Sequence, residues 1–199
     1  MNTPQLISNS IKRTASLLAS IFLSTAVTAA GLDRMVDDFS HATKNNLGIE
    51  RQFIDDTATG GKSKTQHSID QGVLTAKGDL VPPRGQPAWA STVLPLDPQG
   101  EPKDASGYQG IRLRIRVNRG NLSLSANSTE ITNFDYHAAP IVVRNDGKFH
   151  DVKIPFKNMK RAWSAQTRLN TKTLTSLSLV AFGVQRGSFD FAVDEVSFY

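Results

Sequence analysis

The sequence predicts an all-β chain, an antiparallel β-sandwich or barrel, and three observations carry that expectation. Apolar residues recur at every second position over short runs, the period of a strand with one buried face. Gly, Pro, Asn and Asp punctuate those runs at short intervals, as turns require. About 170 residues follow the leader, enough for one domain with a sizeable core. The chain has no cysteine, so that core must hold it without disulfides.

The leader is read apart from the fold. "MNTPQLISNSIKRTASLLASIFLSTAVTAAG" has a basic segment ending in Lys12–Arg13, then the mostly apolar "ASLLASIFLSTAV", then small residues through Ala30. That order marks residues 1–30 as a secretory signal peptide, cleaved after Ala29 or Ala30. Its apolar run is short for a bilayer span, so no membrane anchor is expected after processing. A mitochondrial presequence is the alternative, because the segment is acid-free and rich in Ser and Thr. The apolar residues form a block rather than one amphipathic face, which favours export to the periplasm or beyond.

Residues 31–199 then read as strands and turns. "VDDFSHATKNNLG" leads into candidate strands at "GVLTAKG", "AWASTVLPL", "GIRLRIRV" and "NLSLSA". "HAAPIVV", "KFHDVKIPF", "LTSLSLVAFGVQ" and "SFDFAVDEVSFY" follow. In the last, Phe189, Phe191 and Val193 fall on one face and Asp190, Ala192 and Asp194 on the other. "VNRGN" is expected to be a hairpin turn with Gly120 at positive φ. "MKRAWSAQTRLN" is the one weakly helical stretch, or else a long crossing loop. "LVPPRGQP" reads as a surface loop.

Charge excludes one partner class. With Lys12 and Arg13 removed, 21 basic residues face 18 acidic ones, a net +3 with the basic residues scattered. That is a solubility-level charge and no footprint for nucleic acid. "DDTATGGKSKT" resembles a phosphate-binding loop but has Asp56 where that pattern needs Gly, and no helix is expected after it. His41, His67, His137 and His150 lack the spacing of a zinc site. There is no Gly-x-Ser-x-Gly elbow and no cysteine nucleophile, so catalysis is not expected.

Three sets of residues remain as site candidates. Arg112, Arg114 and Arg116 alternate with Ile111, Leu113, Ile115 and Val117, so they face outward. They form either a polar platform, whose planar forks suit an anionic glycan, or the solvated side of a strand. Trp163, in the polar context "KRAWSAQTR", and Tyr136, beside a strand, offer rings on which sugars stack. Trp89 reads as core. Asp37, Asp38 and Asp194 (with Glu195 beside it) would share a structural calcium if the chain ends meet; otherwise they are solvated strand-edge charges. No other cofactor is expected.

These residues also carry a family resemblance. Asp38–Phe39, then Asp56, Gly60, Gly61 and Ser63, then Trp89–Ala90–Ser91 occur in order. Gly110–Ile111–Arg112–Leu113–Arg114–Ile115, the run Phe149 to Phe156 and the closing run Gly187 to Val196 complete the series. From about Met35 to Tyr199 the chain resembles the complex I intermediate-associated protein 30 family. Thr59 stands where that family has Met, "NRG" where it has Gly-Asp-Gly, and Phe149 where it has Trp. The resemblance implies a galactose-binding-like jelly roll, similar to family 11 carbohydrate-binding modules. It implies either a secreted, monomeric, non-catalytic module for a carbohydrate or an envelope protein, or a chaperone-like assembly factor for a respiratory complex I-like membrane complex.

Overall fold

The computed structural model describes Met1 and residues 31–199, so all but the first residue of the expected signal peptide lies outside the described residues. Gly31–Tyr199 forms one compact unit. It contains twelve strands: β1 (Met35–Asp37), β2 (Gln52–Asp55), β3 (Lys64–Asp70), β4 (Val73–Leu80), β5 (Ala88–Pro95) and β6 (Gly110–Arg119). The rest are β7 (Asn121–Ser128), β8 (His137–Ile141), β9 (His150–Pro155), β10 (Lys160–Arg161), β11 (Leu174–Gly183) and β12 (Gly187–Phe198). All pair antiparallel in two sheets. One runs β3-β4-β12-β6-β9 with β1 added on β12, and the other runs β10-β8-β7-β11-β5-β2. This is the jelly-roll sandwich that the sequence implies.

Alternation builds the core. Ile111, Leu113 and Ile115 of β6 meet Phe191, Val193 and Val196 of β12 from one sheet, and Leu122, Leu124, Leu177 and Leu179 face them from the other. All are at most 3% exposed, and each such side chain contributes about 1.5–3 kcal/mol through burial. Aligned sheets sharing one interdigitated layer are the expected sandwich packing.

One expectation changes and one open alternative is decided. "VNRGN" is not a hairpin: β6 pairs with β12 and β9, whereas β7 pairs with β11 and β8. The turn therefore carries the chain from one sheet to the other. Gly120 does take positive φ (+91°), and a Cβ there would sit 2.9 Å from Phe189 Cβ, so the corner needs glycine for space as well as for backbone. The segment around Trp163 forms no helix; after the two-residue β10 it crosses as an irregular loop to about residue 171. Among the described residues no helix is long and apolar enough to cross a membrane.

Candidate functional site

On the outer face of the first sheet two of the three arginines are matched by acids. Arg112, opposite Lys153 of β9 and Ser197 of β12, donates Nη1 to Glu195 Oε1 (2.7 Å) and Nη2 to Asp151 Oδ1 (2.6 Å). The Asp151 hydrogen bond, against partial desolvation and with the Glu195 charge beside it, pushes the Arg112 guanidinium above even its usual range. Arg114 donates Nε to Asp194 Oδ2 at 2.8 Å. Arg116 has no ion pair among the described residues; its guanidinium lies 5.0 Å from the Phe149 ring centroid, a cation–π geometry. Arg112 is thus engaged within the fold by two carboxylates and Arg114 by one, all from neighbouring strands.

The same contacts separate the carboxylates considered for calcium. Asp37 is fully buried and accepts Nε (2.5 Å) and Nη2 (2.7 Å) of Arg51 together with the Phe39 amide (2.9 Å). Asp38 accepts the hydroxyl (2.6 Å) and amide (3.0 Å) of Ser40, whose hydrogen bonds hold its carboxyl below the usual range. Asp194 faces outward to Arg114. The chain ends do meet, with β1 on β12, but the three side chains do not converge. Among the described residues no group of three or more His, Cys, Asp or Glu is placed to hold a metal. The calcium expectation finds no support, because the acids are each committed to cationic or hydroxyl partners.

The outer face of the second sheet has another character. Inward residues of β7 and β11, Leu122, Leu124, Leu177 and Leu179, are buried, so alternation turns Ser123, Ser125 and Asn127, with Ser178 and Val180, outward. Ala138 and Pro140 of β8 and Ser91 and Val93 of β5 continue this surface on either side. Lys160 on the edge strand β10 is its one strand-borne charge. Ser125 and Ser178 face outward yet are only 2% and 5% exposed, which requires taller neighbours around them. Asn127 supplies one, donating Nδ2 to Ser176 Oγ (2.8 Å) and Ser178 Oγ (3.4 Å). Ser125 Oγ has no hydrogen-bond partner. From Asn127 to Asn121 this floor runs about 20 Å at ~3.4 Å per residue.

Aromatic rings stand at both ends of the floor. Trp89 and Phe182 are register partners at one end, and Trp89 is half-buried on this outer face rather than in the core. At the other end His137 is buried, so its neighbour Tyr136 faces outward, with the Trp163 ring edge-on to it at 5.3 Å and 86°. Trp163 is 61% exposed. Between Phe134 and Tyr136 the buried Asp135 clasps the crossing loop. It accepts Arg161 Nε (2.8 Å) and the amides of Tyr136 (2.8 Å), Ala162 (3.0 Å) and Ser164 (3.0 Å). Burial opposes ionisation of Asp135, but the Tyr136, Arg161 and Ser164 hydrogen bonds outweigh it and hold the carboxyl far below the usual range. Burial, then the Asp135 charge, pushes the Tyr136 phenol up, so at neutral pH it is an uncharged O–H donor.

Residues 39–193 match the family profile of complex I intermediate-associated protein 30. The chain belongs to this family. The jelly roll is shared with solved structures of low identity. The family 11 carbohydrate-binding module of a Clostridium thermocellum cellulosomal cellulase has 17% identity and a TM-score of 0.59, over 85% of this chain and 95% of that one. The same family's module from Clostridium thermocellum, solved in complex with a β-1,3-1,4-mixed-linked tetrasaccharide, has 16% identity and a TM-score of 0.58, over 85% and 96%. An agarase has 11% identity and a TM-score of 0.55, over 82% of this chain and 24% of its own. No curated protein matches this chain in sequence.

The complex I intermediate-associated protein 30 motif around Gly60–Gly61 is structural. Asp56, 1% exposed, accepts the Ser63 amide (3.0 Å), the Ser63 hydroxyl (2.7 Å) and the Trp89 amide (3.3 Å). A Cβ on Gly61 would lie 2.2 Å from Asp56 Oδ1, and Gly60 has φ +85°. The glycines let the chain fold over a buried carboxylate that ties three segments together, and the stretch forms a single 3-10 turn rather than a phosphate-facing helix. Of the sequence-derived site residues, Tyr136 and Trp163 come together, while Arg112, Arg114 and Arg116 lie on the opposite sheet. Asp135, Ser125 and Asn127 were not singled out. An Asp between two aromatics was the available signal for the first; uncharged strand residues carry none.

Proposed function

We propose that this chain is an exported, monomeric, non-catalytic module that binds a polysaccharide through its uncharged backbone along the outer face of the second sheet. The observation that carries the reading is the Tyr136–Trp163 pair, fixed on the buried Asp135, at the end of an uncharged floor of hydroxyl and amide groups. Sugar rings present apolar C–H faces that stack on such rings, and hydroxyls that hydrogen-bond to half-buried polar groups such as Asn127 and Ser123. An uncharged floor suits an uncharged sugar backbone, which departs from the arginine platform that the sequence offered. The tetrasaccharide-bound relative supports the ligand class, and the signal-like leader supports export.

The test is affinity electrophoresis of residues 31–199 through gels containing neutral β-glucans, beside Tyr136→Ala/Trp163→Ala and Arg112→Ala/Arg114→Ala variants. The expected result is retardation of the wild type and the arginine variant, and none of the aromatic variant. Loss in the arginine variant alone would move the site to the first sheet. No retardation by any polysaccharide would refute the reading in favour of a protein partner, the assembly-factor alternative among them.

A further inference from the structure

A cleft of about 620 Å³ lies between the turn after β9 and the far end of the crossing loop that carries Trp163. Its apolar floor is Phe156, Met159 and Leu169, and its rim carries Lys157, Lys160 and Arg168 with no carboxylate among its lining residues. None of the three cations forms an ion pair among the described residues, in contrast to Arg112 and Arg114. The wall is anchored from beneath. His137, 1% exposed, sets ring Nε2 2.9 Å from the Thr167 carbonyl; a carbonyl only accepts, so Nε2 carries the proton. Gln166 is fixed to the Arg161 amide and carbonyl, each at 3.0 Å. Lys160 belongs to both sites, because it pairs with Ala138 on the edge of the uncharged floor.

We propose that this cleft binds an anionic substituent, a carboxylate or sulfate ester, of the polysaccharide whose neutral backbone lies along the adjoining floor. The inference rests on the glycan reading above and adds a ligand class to it. Three unpaired cations around an apolar floor favour an anion through charge-assisted hydrogen bonds. Arg168 supplies a planar fork, and the two lysines act as point charges.

The experiment compares hydroxyethylcellulose, carboxymethylcellulose and cellulose sulfate, three polymers with one backbone, by affinity electrophoresis with residues 31–199. At low salt a charged polymer is expected to bind about ten-fold more tightly than the neutral one. That ratio is expected to fall to about one in Lys157→Gln/Arg168→Gln and to shrink as salt screens the charges. Whichever of carboxylate or sulfate gives the larger ratio identifies the substituent. Glucuronate and inorganic sulfate are titrated separately by NMR and are expected to move the Lys157, Thr167 and Arg168 amides. Those shifts persist in Tyr136→Ala/Trp163→Ala, so the cleft is tested even where no polymer binds and the glycan reading itself has failed. Equal affinity for charged and neutral polymers, a charge preference that survives Lys157→Gln/Arg168→Gln, or silent amides would overturn the proposal. So would binding to anionic phosphatidylglycerol vesicles without discrimination among the polymers.

Discussion

On one outer face of the sandwich, Arg112 and Arg114 pair with Asp151, Asp194 and Glu195 across β9, β6 and β12. On the other, Ser123, Ser125, Asn127, Ser178 and Val180 present no charge at all, and the ionic contact is moved beneath the surface, where Asp135 holds Arg161. Both faces come from the same two-residue alternation over the same core. The difference lies in what the ion pairs do. Exposed pairs in high dielectric contribute little to stability and mainly keep an outer sheet face solvated. A buried pair fixes geometry, and here it fixes the backbone that presents Tyr136 and Trp163. The proposed glycan floor is thus the face from which charge is withdrawn.

The strongest way to break this comparison is at the buried clasp. Asp135→Asn leaves the Arg161 side chain, 9% exposed against a fully buried partner, without its counter-charge. The expected cost is about 3 kcal/mol in urea denaturation, at the low end for breaking a buried pair. Polysaccharide binding falls with it, because the two rings lose their common support. The pH dependence has a definite sign. The folded-state carboxyl titrates well below its unfolded value, so its stabilisation is complete above about pH 4 and lost as pH falls further. Asp135→Asn is expected to flatten that acid limb relative to wild type. An unchanged acid limb would show that other carboxylates set it.

Next in size is the surface that the clasp supports. Trp163→Ala removes an exposed ring, and binding is expected to weaken by about 2 kcal/mol, roughly thirty-fold, as for an aromatic anchor at an interface. The melting temperature should stay within about 1 °C, since little area is buried there. A fall in both binding and melting temperature would make Trp163 a packing residue and remove the distinction between clasp and surface.

Much of this fold was legible in the sequence, and the exceptions have physical causes. Strands with one buried face, such as β6 and the first half of β12, declare themselves by alternation. β3 does not, because "KTQHSID" is an edge strand exposed along most of its length, with no apolar period to read. The turn at Gly120 was legible as a turn but not as a sheet crossing, because local backbone signals carry no information on which strand pairs with which. The outward direction of Arg112 and Arg114 followed from their neighbours. Their partners did not, lying 39 to 83 residues away in the chain. Tyr136 and Trp163 were found by residue type, but Asp135, which brings them together, required the register of β8 on β10.

The smallest expected effect sharpens the comparison from the other side. Arg114 and Asp194 are partly exposed, with side chains 46% and 27% accessible, and a single exposed ion pair contributes about 0.5 kcal/mol or less. Arg114→Ala is therefore expected to change unfolding free energy by no more than that, and by less again at high salt. Neutral β-glucan affinity should be unchanged. Arg114 also lies 5.8 Å from the Phe149 ring centroid, so Arg114→Met, which keeps an aliphatic stem against the ring, separates lost packing from lost charge. A cost above about 1.5 kcal/mol in Arg114→Ala that Arg114→Met restores would assign the residue to packing. The same cost in both variants would mean that the charged face is held by its ion pairs after all, and the two faces would differ in chemistry but not in how they are stabilised.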